Sequence, residues 1–287
     1  MKSIIEVKGV SYLYGKGTPF EKKALKEISC AFESGKITGL IGHTGSGKST
    51  LVNLLNGLNK PDTGEILLDG ENIWKNPKEI RDIRFKVGVV MQYPEYQLFD
   101  ETVRSDIGFG PKNLGLSEEE IAERVCEAAS FAGLSDEILD KSPFELSGGQ
   151  KRRVAIAGVI AMRPEVLVLD EPAAGLDPRG RREILSGLRA YADRQSASVI
   201  LVSHSMEDMA YYCDNVVVMN DGEVYRSGSV REIFSSAEEL SKIGLNLPSV
   251  SRIAMLLAEK GVELLGDLYT VDGMKEAIIE YIGRVSE

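Results

Sequence analysis

Apolar residues fall in two rhythms along this chain. Short, nearly continuous runs occur at residues 4–7, 37–41, 87–91, 166–169, 199–202 and 216–219. Runs that are continuous rather than alternating mark strands covered on both faces. Between them lie longer stretches, at residues 49–57, 118–132, 150–162 and 179–195, patterned as helices with one apolar face. The alternation predicts an α/β chain with a largely parallel central sheet. Asn220-Asp221-Gly222, ahead of Glu223-Val224-Tyr225, predicts a hairpin. Ser229-Val230-Arg231-Glu232 is a capping-box start for a helix. Residues 93–163 hold no strand signal and predict a helical insertion. After about residue 238 the strand signal fades, and residues 249–259 and 272–283 predict two amphipathic helices. Their acidic excess favours a partner-facing or self-packing role over a membrane surface.

Length and charge narrow the picture. The 287 residues predict roughly two domains, or one large domain with an appendage. With 43% hydrophobic and 27% charged residues, a disordered chain, a collagen and a disulfide scaffold are excluded. The net charge of −10 argues against nucleic acid as a partner, since phosphates need a basic stripe. It also argues against unaided docking on anionic lipid. Cys30, Cys126 and Cys213 are far apart, which fits a reducing compartment and packed thiols. Glu6 and Lys8 interrupt any signal-peptide core, and no apolar run reaches bilayer-spanning length. Any membrane role must therefore run through a partner.

Gly42-His43-Thr44-Gly45-Ser46-Gly47-Lys48-Ser49-Thr50 follows a predicted strand and precedes a predicted helix. This is the phosphate-loop pattern G-x-x-x-x-G-K-[ST] in its required context. Gly42, Gly45 and Gly47 let the backbone wrap an oxyanion and aim N–H groups at it. Lys48 can reach the β- and γ-phosphates, and the Ser49 hydroxyl can ligate Mg²⁺. Residues 166–169 end in Asp170-Glu171-Pro172. Ligands sit at the carboxyl ends of strands in such sheets. Asp170 is placed to hold Mg²⁺, and Glu171 to polarise a water for in-line attack. His43 reads as a loop residue without a catalytic role.

Leu146-Ser147-Gly148-Gly149-Gln150 precedes another helix pattern. It is a second anion trap, built from the Ser147 hydroxyl, the Gly148 and Gly149 amides, and a helix dipole. The pentapeptide resembles the signature of ATP-binding-cassette (ABC) ATPases. The resemblance covers about residues 3–238. It implies a P-loop NTPase (RecA-like) core with a mainly parallel sheet, an N-terminal antiparallel β part and a helical subdomain. The implied ranges are 1–92 and 164–238 for the core and 93–163 for the helical subdomain. Residues 239–287 would form a C-terminal helical extension for dimerisation. The implied ligands are ATP and Mg²⁺. Gln92 matches the glutamine loop, touching Mg²⁺ and the attacking water. Asp177, in Ala174-Gly175-Leu176-Asp177, matches the loop that crosses to a partner subunit. His204 matches the switch histidine at the γ-phosphate. Tyr14 matches the aromatic that stacks on adenine, with Tyr12 as competitor.

Finer features are similar to the energy-coupling-factor (ECF) transporter ATPases, and most to the second of their two paralogous ATPase subunits. These are Gln92-Tyr93-Pro94-Glu95-Tyr96-Gln97-Leu98-Phe99, Gly17-Thr18-Pro19-Phe20-Glu21, Gly42-His43-Thr44-Gly45 and Gly244-Leu245-Asn246-Leu247-Pro248. That resemblance implies a peripheral ATPase on the cytoplasmic face of the cell membrane. It would pair with a homologous ATPase and dock on a transmembrane coupling (T) subunit. A substrate-capture (S) subunit would take a vitamin or metal ion. Leu98 and Phe99 are either helical core or part of the groove for a coupling helix. The alternatives are a soluble ABC ATPase of the iron–sulfur-assembly type, or the ATPase of another ABC importer.

Overall fold

The computed structural model describes residues 2–285; positions 1 and 286–287 of the expected ranges lie outside the described residues. The strands are β1 (Ser3–Tyr14), β2 (Lys22–Glu33), β3 (Ile37–Ile41), β4 (Thr63–Leu68), β5 (Glu71–Asn72), β6 (Val87–Val90), β7 (Val166–Asp170), β8 (Ser198–Val202), β9 (Asn215–Asn220) and β10 (Glu223–Ser229). The core helices are α1 (Lys48–Leu55), α2 (Ile80–Lys86), α3 (Val103–Asn113), α4 (Glu118–Phe131), α5 (Gly148–Ile160), α6 (Pro178–Gln195) and α7 (Met206–Tyr212). The chain closes with α8 (Val230–Phe234), α9 (Ala237–Lys242), α10 (Ser249–Glu259) and α11 (Val271–Val285).

The central sheet runs β10-β9-β3-β8-β7-β6, parallel except for β10. β3, β7 and β8 are buried at every position because both faces of the sheet are covered. Leu167 and Leu169 of β7 join the core on the helical face, while Val166 and Val168 join the opposite core. That second core lies beneath an antiparallel sheet of order β2-β1-β4-β5 and includes Leu51, Leu54 and Leu55 of α1. The predicted hairpin forms as a two-residue turn, with Asp221 at φ 47° and Gly222 at φ 81°. Ser229 caps α8 as expected.

The antiparallel sheet departs most from the apolar pattern. The run at residues 4–7 extends into the twelve-residue β1, β2 carries no continuous apolar run, and β4 has only Ile66-Leu67-Leu68. Leu25, Ile28 and Phe32 of β2 are buried at a spacing that reads as helical. Bulges reconcile that spacing with a strand. Glu27 adopts φ 53°, and the pairing steps from Val10↔Ile28 to Tyr12↔Leu25, so β2 spends one residue more than β1. Between β6 and β7 the described chain holds α3, α4, α5 and three-residue or four-residue 3-10 turns, without a strand. After β10 it is helical. Leu240, Leu245 and Leu247 are buried in the core on the helical face. Ile253 and Leu256 of α10 and Ile279 of α11 stay exposed.

Candidate functional site

The phosphate loop leaves β3 and enters α1 through three glycines of positive φ: Gly42 at 156°, Gly45 at 85° and Gly47 at 103°. A side chain on Gly47 would meet Leu25 Cδ2 at 2.7 Å and the Ala24 carbonyl at 2.9 Å. A side chain on Gly45 would meet nothing within 4 Å, because that point faces the cleft. The loop is braced from outside. Gly222 N donates to Ser46 O at 3.1 Å, and the His43 ring bridges Thr44 O at 2.8 Å and Asn220 Oδ1 at 3.0 Å. Gly47 caps α1 without a side-chain acceptor. The first amides of α1 therefore stay free to donate to an anion. The buried Ser46 Oγ likewise has no hydrogen-bond partner. These orphan donors and the open face at Gly45 fit a polyphosphate.

Lys48, at 7% exposure, donates to Gly42 O at 2.7 Å and His43 O at 3.0 Å. Burial pulls its pKa below the ordinary value, and Asp170 and Glu171 oppose that pull. Ser49 Oγ donates to Asp170 Oδ2 at 3.2 Å across the β3–β7 divide. Burial raises the Asp170 pKa, with the Ser49 hydrogen bond and Lys48 opposing. Glu171 follows at φ 54°, a left-handed conformation for a side chain that prefers others. Its N–H donates to Val202 O at 3.0 Å, which fixes it against the end of β8. Glu171 Oε1 is buried without a hydrogen-bond partner, and His204 Nε2 stands 3.6 Å away. Burial raises the Glu171 pKa, and Asp170 adds to it. Burial and then Lys48 lower the pKa of His204. No group of three or more His, Cys, Asp or Glu side chains is gathered for a metal among the described residues. The hydroxyl–carboxylate pair Ser49–Asp170 instead suits a hard cation that keeps waters and phosphate oxygens, as Mg²⁺ does.

One cleft of about 600 Å³ unites Tyr14, Gly45, Gly47, Lys48, Ser49, Thr50, Gln92, Asp170, Glu171 and His204. Gly42 and Ser46 lie in the loop behind its wall. Gln92 sits two residues past the end of β6, and His204 two past the end of β8. Tyr14 is 42% exposed, and its hydroxyl lies 3.3 Å from Thr50 Oγ1. Tyr12 meets Tyr14 edge-on at 4.9 Å but packs against the core below the antiparallel sheet. Of the two tyrosines, Tyr14 lines the cleft. Lys22, Lys23 and Lys26 of β2 also line it, with Thr44 and Asp221. The apolar pattern passed over these lysines; their signal is a basic cluster in an acidic chain.

The signature lies off this cleft. Ser147 Oγ accepts from Gln150 N at 3.4 Å, and Gln150 Oε1 accepts from Ser147 N at 3.0 Å. Gly148 is exposed and Gly149 half-buried at the start of α5. Asp177 caps α6 through Gly180 N at 2.6 Å. Ser147, Gly148, Gly149, Gln150 and Asp177 thus lie apart from the cleft, exposed at Ser147, Gly148 and Asp177 and half-buried at Gly149 and Gln150. A third feature is a groove of about 420 Å³ lined by Phe85, Leu98, Phe99, Phe109 and Met162. Leu98 is buried and joins the helical core, whereas Phe99 is 59% exposed and stacks edge-on with Phe109 at 4.9 Å.

Comparison with known proteins adds a family. Residues 25–174 match the family described as ABC transporter. The chain is 52% identical over 278 residues to the energy-coupling factor transporter ATP-binding protein EcfA2 of Caldanaerobacter subterraneus subsp. tengcongensis, covering 97% of each. It is 47% identical over 283 residues to the protein of the same name from Listeria monocytogenes, covering 98% of each. Among solved structures, cbiO1 from Clostridium perfringens, part of the ABC transporter complex cbiONQ, matches with TM-score 0.75 and 40% identity. That match covers 88% of this chain and 99% of the other. The ATP-binding cassette MJ0796, a dimer in a post-hydrolysis state with ADP and Pi, matches with TM-score 0.71 and 29% identity, covering 79% and 99%.

Proposed function

We infer the function from a premise the comparisons establish: this chain belongs to the ATP-binding subunits of energy-coupling factor transporters, within the ABC transporter family. It is the ATP-hydrolysing subunit of an ECF-type ABC importer. The residue roles that follow are our reading of the geometry. The observation that carries it is the gathering of Lys48, Ser49, Gln92, Asp170, Glu171 and His204 on one cleft. Tyr14 offers its ring to the base, while Lys48 and the amides of α1 hold the β- and γ-phosphates. Ser49, Asp170 and Gln92 would hold Mg²⁺, whose charge screens the phosphates when bound. Glu171, through its unpaired Oε1, orients the attacking water and accepts its proton as the bond to the γ-phosphorus forms. ADP departs as the oxygen to phosphorus bond breaks. His204, whose pKa is lowered by desolvation and by Lys48, donates to a γ-phosphate oxygen.

The signature residues Ser147, Gly148, Gly149 and Gln150, with Asp177, serve a partner. The Gly148 and Gly149 amides and the Ser147 hydroxyl close over the nucleotide of a second, homologous ATPase, which makes the active unit a pair. The extension at residues 239–287 supports that pairing through α10 and α11. No described helix is long and apolar enough to cross a membrane. Attachment to the cytoplasmic face therefore runs through a transmembrane T subunit seated in the groove at Phe99. The S subunit held by that T subunit takes the vitamin or metal ion. The test is co-expression with the membrane subunits, purification in detergent, and phosphate release by vesicles loaded with the complex. Turnover lost on Lys48→Ala supports the reading. A complex that forms but never releases phosphate overturns it.

A further inference from the structure

One buried arginine joins three segments that the roles above treat separately. Arg152 lies on α5, five residues after Ser147, and is 5% exposed. Its guanidinium grips Glu95 with both arms, Nε to Oε2 at 3.0 Å and Nη2 to Oε1 at 2.7 Å. The third nitrogen, Nη1, donates to the Ala174 carbonyl. Glu95 sits in the 3-10 turn Pro94–Gln97, three residues after Gln92 and just before the groove residues Leu98 and Phe99. Ala174 sits three residues after Glu171, and its N–H donates to Glu171 O at 3.2 Å. The Arg152 fork is thus shared by the turn that leads into the groove wall at Gln97, the signature helix and the loop that leaves the attacking-water carboxylate. A planar guanidinium can hold these acceptors in fixed relation, and a lysine cannot.

We propose that Arg152 is a positioning residue that couples the occupancy of the groove at Phe99 to the placement of Gln92 and Glu171 around the attacking water. A shift of the groove wall moves Glu95, Arg152 carries the shift to Ala174, and the carboxylate moves with its loop. The same shift reaches Ser147 along α5, so both the chain's own site and the face offered to the partner respond together. The inference rests on the functional reading above.

The test uses the assembled transporter in vesicles, with the partner ATPase's own site disabled. Arg152→Gln, Arg152→Lys and Glu95→Gln are compared for ATP turnover, KM for ATP, substrate moved per ATP, and thermal midpoint. Arg152→Gln is expected to lower kcat by about tenfold or more, since small misplacements of reacting groups cost that much. KM for ATP should stay within about twofold and the midpoint near wild type, the pattern of a lost transition-state contact. Arg152→Lys should fall as well, because charge without the fork does not span the acceptors. Glu95→Gln keeps the bond to Ala174 and should lose substrate moved per ATP more than it loses kcat. Wild-type kcat in Arg152→Gln overturns the proposal, and so does full rescue by Arg152→Lys. A fall in ATP affinity and thermal midpoint that tracks the fall in kcat also overturns it, since that marks a structural role. If Arg152→Gln does not assemble, wild-type behaviour of both other variants is decisive against it. A wild-type complex without turnover would instead remove the functional reading beneath the proposal.

Discussion

Lys48→Met separates nucleotide binding from folding, and the two should move in opposite directions. Lys48 is buried and its charge is answered mainly by two backbone carbonyls. Burial depresses its pKa, so the protonated form costs the native state stability. Methionine keeps the length and removes the charge. The nucleotide-free variant should therefore be more stable, by up to about 1 kcal/mol, or about 2 °C in thermal midpoint. The sign with pH follows. The penalty on Lys48 is fully present below its native-state pKa and fades as pH rises towards the ordinary 10.5. The advantage of the variant should shrink over that alkaline range. With ATP the order reverses. A charge-assisted contact is worth about 1.5–3 kcal/mol, so affinity should fall roughly tenfold to a hundredfold. At about 100 times its Kd, ATP stabilises the wild type by about 2.7 kcal/mol; a hundredfold weaker variant gains only about 0.4 kcal/mol. Thermal scans with and without ATP, at two pH values, read both effects. A variant that is less stable without nucleotide, or that keeps the wild-type ATP shift, refutes the reasoning.

Tyr14→Ala should weaken ATP by about 1–3 kcal/mol of stacking while leaving the fold intact. Tyr12→Ala, which opens the core below the antiparallel sheet, should cost about 2–3 kcal/mol of stability at unchanged affinity; fluorescent-nucleotide titration beside a denaturant melt tells them apart. Gly47→Ala forces a side chain at φ 103° into Leu25 and the Ala24 carbonyl, so the fold should lose about 2 kcal/mol or more by chemical denaturation. Truncation after Leu247 removes α10 and α11 but keeps Leu245 and Leu247 in the core. Pairing with the partner ATPase, read by sedimentation, should weaken while ATP affinity holds. Glu171→Gln should slow single-turnover hydrolysis by about 10²–10⁴ with ATP affinity retained, checked with the partner's site disabled.

Elements that decide the chemistry were legible because their local rules are strict. A strand, a glycine-rich turn and a helix start cannot be rearranged and still cradle phosphate, so Gly42 to Thr50 reads directly. The central strands read because both faces are buried, which forces continuous apolar runs. The antiparallel sheet was hidden for the opposite reason. Bulges at Gly9 and Glu27 break the alternation of β1 and β2, and the pairing of Val10 with Ile28 becomes clear only once both strands are in place. The α3 helix escaped because Pro111 sits inside it and glycines at 108 and 110 thin its apolar face. Lys22, Lys23 and Lys26 escaped because their cleft is made by segments distant in sequence. The fork of Arg152 lies beyond sequence reading altogether, since its partners are a carboxylate 57 residues before it and a carbonyl 22 residues after.

The cleft holds its charges at a cost, and that cost has a direction. Lys48 is pulled towards neutrality by burial, and Asp170 and Glu171 are pushed towards protonation by the same cause. A ligand that brings phosphate to Lys48 and a cation to Asp170 relieves both strains at once, so part of its affinity comes from ending an unfavourable state. Glu171 gains no such partner on the proposed roles, and its Oε1 stays open for water. Its native-state pKa is raised, so the ionised form costs stability above that pKa, and the cost is gone below the ordinary 4.5. Protonation also removes the base. The acid limb of single-turnover hydrolysis should therefore begin above the ordinary 4.5, where the protein is being relieved of a buried charge. Activity should fall with pH while the contribution of Glu171 to stability improves. In Glu171→Gln that acid limb should vanish from the residual rate, and an unchanged limb would assign it to another group.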